Sequence, residues 1–336
     1  MRQRIWIKAL GILLCGSIFF VIALSLNNPQ LNAADEAITH ALEGARIPWL
    51  TTVMWAITTM CAPLWLLMIC LVLMFIFRKR NFSIPIAVNL MVSVTLNEAL
   101  KNLFLRERPP VLHHAVTVTG YSFPSGHAMA AAAFYGFLIY MVSKSGMTKQ
   151  HKRWLQGLLS LLILGIGFSR VYLGVHYASD VLAGFAVSIA YLIIFATGVG
   201  YYLRAGNGDA VSVYSRKNKR VVDSFLHAFD GIMGGISGER NMIIHFAMMA
   251  LVTVFGLILQ ISQGEWLICI VFFGLVIGME LMNTAVETVV DICMPQPDPR
   301  AKLAKDTAAG AVMMVSLAAA VAGAIIFVPK LLPTFW

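Results

Sequence analysis

Charge is scarce in this 336-residue chain: Asp, Glu, Lys and Arg together make up 12% of it, where a soluble globular chain carries roughly 25%. That scarcity, with 59% hydrophobic residues, excludes a water-soluble protein. Cysteine is sparse as well. The five residues Cys15, Cys61, Cys70, Cys269 and Cys293 stand in or beside apolar runs with no CxxC or other metal spacing, which excludes a zinc module and a disulfide framework. A uniformly basic surface is lacking too. The formal net charge is +9, but the positive residues form short clusters between apolar runs, as expected for topology signals and anionic lipid headgroups rather than nucleic acid.

What is present is a series of apolar runs long enough to cross a ~30 Å hydrocarbon core. Candidate spans lie near 5–26, 49–77, 82–104, 126–143, 155–174, 179–203, 243–261, 266–291 and 306–330. The class is an all-α polytopic membrane protein with nine crossings. The first run follows MRQRIWIK and exceeds the ~7–15 residues of a signal-peptide core, so it reads as a retained helix. Cys15 follows Leu14 where a lipidation site wants a small residue. The leader, RKR at 78–80, KSGMTKQHKR at 144–153 and the segment 204–220 are basic, whereas the loops at 27–48 and 262–265 are acidic or nearly neutral. Short basic loops stay cytoplasmic. This places the N-terminus inside and the C-terminus outside a bacterial cytoplasmic membrane.

One loop breaks that alternation. KNLFLRERPP at 101–110 falls on the outer side yet carries Lys101, Arg106 and Arg108, and anion binding accounts for such an exception. A polar linker at 206–222 divides residues 1–205 from 223–336. Just beyond it VVDSFLHAFDGIMGGIS is amphipathic, with Phe225, Phe229 and Ile232 on one side, as for a helix lying on the inner membrane surface.

Three outward segments share one chemistry: Lys101 with Arg108-Pro109, YSFPSGH ending at His127, and SRVYLGVHYASD from Ser169 to Asp180. Lys and Arg suit phosphate, and Ser125-Gly126 before a helix start offers backbone N–H groups to an anion. His176 and Asp180 are four apart, hence on one helical face if the helix reaches that far, where the carboxylate fixes the imidazole tautomer. Such a histidine attacks phosphorus while His127 protonates the leaving oxygen. Taken singly, each residue is equally an interfacial cation or a helix cap; the combination is not so easily dismissed. The motifs KxxxxxxRP, PSGH and SRxxxxxHxxxD resemble the type 2 phosphatidic acid phosphatase (PAP2) superfamily over roughly residues 1–203. The resemblance implies six helices and a phosphatase needing no metal. It also implies His176 as nucleophile, Asp180 as its partner, His127 as acid, and Lys101, Arg108, Ser125, Gly126 and Arg170 as holders of the phosphoryl oxygens.

The second constellation lies in GMELMNTAVETVVD. Glu280, Asn283, Glu287 and Asp291 step by three, four and four along an apolar run, forming one polar stripe where ionisable groups are costly and functional by default. With Glu239 upstream and Lys305 and Asp306 downstream, the inner membrane face gathers carboxylates beside a lysine. That set suits Mg²⁺ and nucleotide phosphates, with a deeper carboxylate to deprotonate a lipid hydroxyl; a proton or ion path, or a polar packing stripe, remains the other reading. The motifs ERNxxxH, ExxNTAVExxxD and AKD resemble the small prokaryotic diacylglycerol kinase and undecaprenol kinase family over about residues 223–330. The resemblance implies a surface helix, three crossings, Mg²⁺ and ATP. It implies Glu239 and Glu287 as metal ligands, Glu280 as general base, and Asn283, Lys305 and Asp306 at the nucleotide with Asp291 in support. It implies a homotrimer.

The expected whole is a bifunctional lipid enzyme with sites on opposite membrane faces. One half acts on a polyprenyl diphosphate and the other on a polyprenol, both yielding undecaprenyl phosphate. The glycerolipid alternative pairs a phosphatidic acid or phosphatidylglycerophosphate phosphatase with a diacylglycerol kinase. A transporter using both polar clusters as an ion path is the rival from outside enzymology.

Overall fold

The computed structural model describes residues 2–77, 82–110, 115, 116, 118, 120–205, 221–236 and 239–331, without the side chains of 2–5, 201, 202, 204, 205 and 221–226. Every regular element among them is a helix: α1 (Arg2–Leu24), α2 (Pro29–Gly44), α3 (Pro48–Thr59), α4 (Pro63–Ile76), α5 (Ser83–Phe104), α6 (Gly126–Lys144), α7 (Lys149–Tyr172), α8 (Ala178–Ala205), α9 (Val221–Ile236), α10 (Arg240–Ile258), α11 (Gln263–Cys293) and α12 (Pro299–Leu331). Eight are long and apolar enough to cross a membrane, and the bent pair α3–α4 makes a ninth if counted as one span. The expected linker at 206–222 and the basic RKR cluster at 78–80 lie outside the described residues, apart from 221 and 222 at the start of α9.

Two expectations are corrected. The span at 49–77 is not one straight helix: α3 and α4 meet at a 49° bend. Pro63 at the start of α4 cannot supply the N–H that would continue α3, and at the bend Tyr135 donates its hydroxyl to the Met60 carbonyl at 2.6 Å. Nor is 27–48 merely a loop. It contains α2, started by Asn28, whose side chain accepts from the Gln30 N–H at 2.8 Å, and by Pro29 in the first turn, an arrangement that satisfies one orphan donor and presets the helical φ.

The chain divides into two compact units, residues 1–70 with 88–198, and residues 71–87 with 199–336. In the first, small residues let helices approach closely. A β-carbon on Gly167 of α7 would lie 2.3 Å from the ring of Phe185 on α8, and one on Gly184 would lie 3.1 Å from the Ser125 carbonyl. Bilayers supply no hydrophobic drive between helices, so such contacts carry much of the packing. Phe19, Phe104 and Phe123 cluster with Ala183 and Ala186 at one end of this bundle.

In the second unit α10, α11 and α12 pack together. Ser262 and Glu265 form a reciprocal capping box at the start of α11, satisfying two otherwise orphaned donors. α12 begins earlier than expected, at Pro299, because Asp298 accepts from the Arg300 N–H at 2.7 Å; Lys305 and Asp306 therefore sit two turns inside it. α9 packs on α11, where a β-carbon on Gly235 would meet Leu281 at 2.7 Å. Phe229 and Ile232 of α9 are exposed, and the Phe225 side chain lies outside the described residues.

Candidate functional site

The first site forms where the end of α5, the loop after it, the start of α6 and the turn between α7 and α8 converge. α5 ends at Phe104, and Leu105 just after it has a φ of 50°, in the left-handed region. That conformation costs a bulky residue about 1–2 kcal/mol, and it turns the chain from Lys101 toward Arg106 and Arg108. Between α7 and α8 the chain reverses through Gly174, whose φ of 72° favours glycine. His176 follows in this turn and Asp180 stands in the first turn of α8.

The shared-helix expectation for His176 and Asp180 is thus corrected: α8 starts only at Ala178, and the turn, not a helical face, brings them together. His176 Nδ1 lies 3.5 Å from Asp180 Oδ2. Ser122 stands against both, donating its hydroxyl to Asp180 Oδ2 and lying 3.3 Å from His176 Nδ1. On the other side of the ring, Arg108 Nη1 is 3.1 Å from His176 Nε2. A guanidinium only donates, so Nε2 carries a lone pair and the ring proton resides on Nδ1, facing the carboxylate. His176 is 2% exposed. Burial pushes its basicity well below the usual histidine value, and Arg108, Arg170 and Lys101 add to this. The ring is a neutral base with its lone pair aimed among cations.

Around it the remaining predicted residues assemble. The Ser125 N–H donates to the Asp180 carbonyl at 3.1 Å, tying the turn before α6 to α8. Arg170 donates to Thr58 Oγ1 at 3.0 Å, and Cys61 contacts the His127 carbonyl at 3.4 Å; the α3–α4 bend therefore supports both. His127 lies within electrostatic range of Arg170, His176, Lys101 and Arg108. Two polar atoms here, Ser125 Oγ and Arg170 Nε, are buried with no partner. Such orphans are costly, and a donor pair beside two further cations, Lys101 and Arg108, matches the oxygens of a phosphoryl group.

Sequence reasoning missed three contributors. Arg106 was noted only as one of the loop cations, yet its Nη1 bonds Asp180 Oδ1 at 2.6 Å and Ser179 Oγ at 2.8 Å, and its Nη2 bonds Asp35 Oδ2 at 2.9 Å. Asp35 of α2, 2% exposed, has no place in the sequence motifs, and Ser122, although inside YSFPSGH, has no role assigned by them. The pair Asn28-Pro29 is the available signal for α2; the signal for Ser122 is its place in YSFPSGH.

The second site lies in the other unit, at the end of the bundle holding the start of α10 and α12 and the end of α11. Glu280 and Asn283 are buried, at 2% and 7% exposure. Asn283 Nδ2 donates to Glu287 Oε1 at 2.9 Å, which leaves Asn283 Oδ1 buried without a partner. His245 Nε2 is 4.0 Å from Glu280 Oε2, a neighbour to which sequence reasoning gave no role although it closes the ERNxxxH motif. Glu280, Asn283, His245, Asn241 and Ser316 line a cavity of about 250 Å³. Glu239 stands at the N-cap position of α10 without a side-chain capping bond; burial raises its carboxyl above the usual range, and the charges of Glu287 and Glu280 raise it further. Lys305 of α12 is paired with Asp291 of α11. Asp306 is exposed and, among the described residues, bonds none of the other six. No three His, Cys, Asp or Glu side chains among the described residues stand close enough to hold a metal unaided. Crowded, mutually repelling carboxylates nevertheless fit a divalent cation that takes few protein ligands and shares phosphate oxygens.

Comparison with known proteins separates the same two regions. Residues 82–204 match the PAP2 superfamily and residues 226–327 match the prokaryotic diacylglycerol kinase family. Phosphatidylglycerophosphatase B of Bacillus subtilis (strain 168) is 34% identical over 178 residues, covering 51% of this chain and 86% of that protein. Undecaprenol kinase of the same organism is 39% identical over 112 residues, covering 33% of this chain and 91% of that protein. The crystal structure of a transmembrane PAP2-type phosphatidylglycerolphosphate phosphatase from Bacillus subtilis is similar with a TM-score of 0.53 at 31% identity, covering 56% of this chain and 96% of that one. The chain belongs to both families: it is a membrane lipid phosphatase of the PAP2 superfamily continued into a lipid kinase of the prokaryotic diacylglycerol kinase family.

Proposed function

We propose that the two sites make one product from opposite membrane faces: undecaprenyl phosphate, from the diphosphate outside and from undecaprenol and ATP inside. The neutral His176 ring, with its lone pair on Nε2 beside Arg108, carries the phosphatase reading. Lys101, Arg108, Arg170, Ser125 and the Gly126 backbone hold the terminal phosphoryl oxygens, and Arg108 shifts its donor from the ring to one of them. Nε2 attacks phosphorus, the bond to the bridging oxygen breaks, and His127 protonates that oxygen. Asp180 stabilises the charge that the His176 ring acquires. Water then attacks the phosphohistidine, His127 takes its proton, and the P–N bond breaks to release inorganic phosphate. No metal is required.

In the kinase half Glu280 takes the proton of the lipid hydroxyl, and that oxygen attacks the γ-phosphorus of ATP with loss of ADP. Glu239 and Glu287 would hold Mg²⁺, which supplies charge neutralisation at the β- and γ-phosphates. Asn283, Lys305 and Asp306 face the nucleotide, with Asp291 holding Lys305. The trimeric state and the division at residues 1–205, 206–222 and 223–336 belong to this reading, as does placement in the bacterial cytoplasmic membrane with the N-terminus inside and the C-terminus outside.

The similarity to phosphatidylglycerophosphatase B favours a second reading, in which glycerolipids replace the polyprenyl substrates at unchanged sites. One experiment separates the two. Purified protein is offered undecaprenyl diphosphate, phosphatidylglycerophosphate, phosphatidic acid, and undecaprenol or diacylglycerol with Mg-ATP. His176→Ala should abolish phosphate release alone, and Glu280→Ala phosphorylation alone. Loss of both activities in either folded variant overturns the two-site reading, and preference for glycerolipids overturns the shared product. Labelling of positions 176 and 287 from a single compartment would overturn the opposed faces.

A further inference from the structure

We propose that Asp35 and Arg106 form a positioning pair for the phosphatase reaction, aiming Asp180 at His176 and setting how much of its charge that ring receives. The inference rests on reading His176 as the nucleophile.

The geometry is that of a relay between elements. Arg106 is 9% exposed and lies between two buried carboxylates, 2.6 Å from Asp180 and 2.9 Å from Asp35. Its Nη2 also reaches Asn32 Oδ1 at 3.2 Å, and its guanidinium stacks 4.3 Å over the Tyr177 ring. The planar fork is thus filled on both edges and one face, which lysine cannot reproduce. Asp35 holds the other end. Its Oδ1 accepts the Ser179 N–H at 3.0 Å, a free donor in the first turn of α8, and its Oδ2 accepts the Ser179 hydroxyl. α2 therefore grips the α8 start one residue before Asp180. Among the described residues neither Asp35 nor Arg106 bonds His176, Ser125 or Arg170; of the residues placed in the reaction, Asp180 is the one that Arg106 bonds.

Charge follows from this arrangement. His176 is surrounded by Lys101 from α5, Arg108 from the loop, Ser122 and His127 around the start of α6, Arg170 from α7 and Asp180 from α8. On α2, Glu36 lies nearer Tyr177. Three cations with one carboxylate favour a neutral ring. Arg106 further neutralises Asp180, and Asp35 offsets Arg106. Removing Asp35 leaves the guanidinium unbalanced and makes the surroundings of His176 more positive. Removing Arg106 leaves Asp180 to act on the ring in full. The two losses push in opposite directions.

The test is the pH profile of phosphate release by the full-length protein, with ATP-dependent lipid phosphorylation by the same preparations as a folding control. Asp35→Asn should lower kcat by at least tenfold, change KM less than twofold, and move the acid limb to lower pH. Arg106→Gln should move that limb to higher pH. The double variant should follow Arg106→Gln, and it serves where a lone buried charge prevents a single variant from accumulating. Asp35→Glu should restore most of kcat. Acid limbs that stay at the wild-type position, or move the same way in Asp35→Asn and Arg106→Gln, overturn the proposal, as does a rise in KM at unchanged kcat. Capture of the phosphoryl group at a residue other than His176 would instead sink the underlying assignment.

Discussion

Asn97 and Gly126 are pressed together: a β-carbon on Gly126 would lie 2.8 Å from Asn97 Oδ1. Asn97 is not free to retreat, because its Nδ2 donates to the Pro124 carbonyl at 3.2 Å and contacts Met129 Sδ. The glycine of PSGH is therefore fixed by packing as well as by any need to expose its backbone to phosphate. Gly126→Ala should destabilise the protein by about 1–3 kcal/mol, the usual range for overpacking, and reduce phosphate release. Pairing it with Asn97→Ala should recover part of that stability, since contacting residues are not additive. Thermal unfolding of the single and double variants in detergent checks this; strictly additive losses would show that the contact is unimportant.

Much of the candidate phosphatase site is legible because its residues cluster within motifs. Lys101, Arg108, Ser125, Gly126, His127, Arg170, His176 and Asp180 were named from sequence, and all fall in one region of the structure. What stayed hidden depends on long-range pairing. Asp35 meets Arg106 across 71 positions and Ser179 across 144, and an acidic residue beside Glu36 in a polar stretch carries no mark of such a partner. The bend between α3 and α4 was signalled by Pro63 but overridden by the apolar run around it. In the kinase half the stripe of Glu280, Asn283 and Glu287 was visible as a helical period. The closeness of His245 to Glu280 was not, since it needs the packing of α10 on α11.

Ser122 offers a direct probe of the His176–Asp180 contact. Its hydroxyl bonds the carboxylate and lies 3.3 Å from Nδ1, so its removal frees the imidazole to rotate. A hydrogen bond to a charged group contributes about 1.5–3 kcal/mol, which corresponds to roughly 10- to 100-fold in rate. Ser122→Ala should lose that much kcat with little change in KM, while ATP-dependent phosphorylation stays intact. Equal loss of both activities would point to general misfolding instead.

The pH dependence of stability follows from the suppressed basicity of His176, caused first by burial and then by Arg108, Arg170 and Lys101. The folded ring resists a proton that the unfolded chain accepts near the ordinary value of about 6.5. The unfolded state therefore binds more protons as pH falls, and stability declines with it. The contribution is fully present above that value and is lost on acidification toward the folded-state value. His176→Gln, which cannot titrate, should lose less stability than wild type between neutral and mildly acid pH. Parallel stability curves for the two proteins would contradict this.

Glu239 shows the opposite sign. Its carboxyl is raised by burial and then by Glu287 and Glu280, so without a cation the cluster destabilises the fold at neutral pH and gains from protonation. In the presence of a chelator, Glu239→Gln should be no less stable than wild type. Mg²⁺ should raise the unfolding temperature of the wild type, by preferential binding to the folded state, and do so less in the variant. Phosphorylation should be lost in the variant and phosphate release retained. An equal Mg²⁺ shift in both proteins would remove Glu239 from the proposed Mg²⁺ site.

The Asp291–Lys305 pair separates a structural role from a functional one by magnitude. It joins α11 to α12, but its side chains are 67% and 34% exposed, and exposed pairs contribute about 0–1 kcal/mol. Asp291→Asn should therefore leave the unfolding temperature nearly unchanged. If the carboxylate serves to hold Lys305 toward a nucleotide, the same substitution should raise the KM for ATP severalfold while the KM for the lipid alcohol stays put. Lys305→Ala should raise it further, and the double variant should be no worse than Lys305→Ala, because Asp291 then has nothing left to orient. An additive effect in the double variant would mean that Asp291 acts on the nucleotide independently of the lysine.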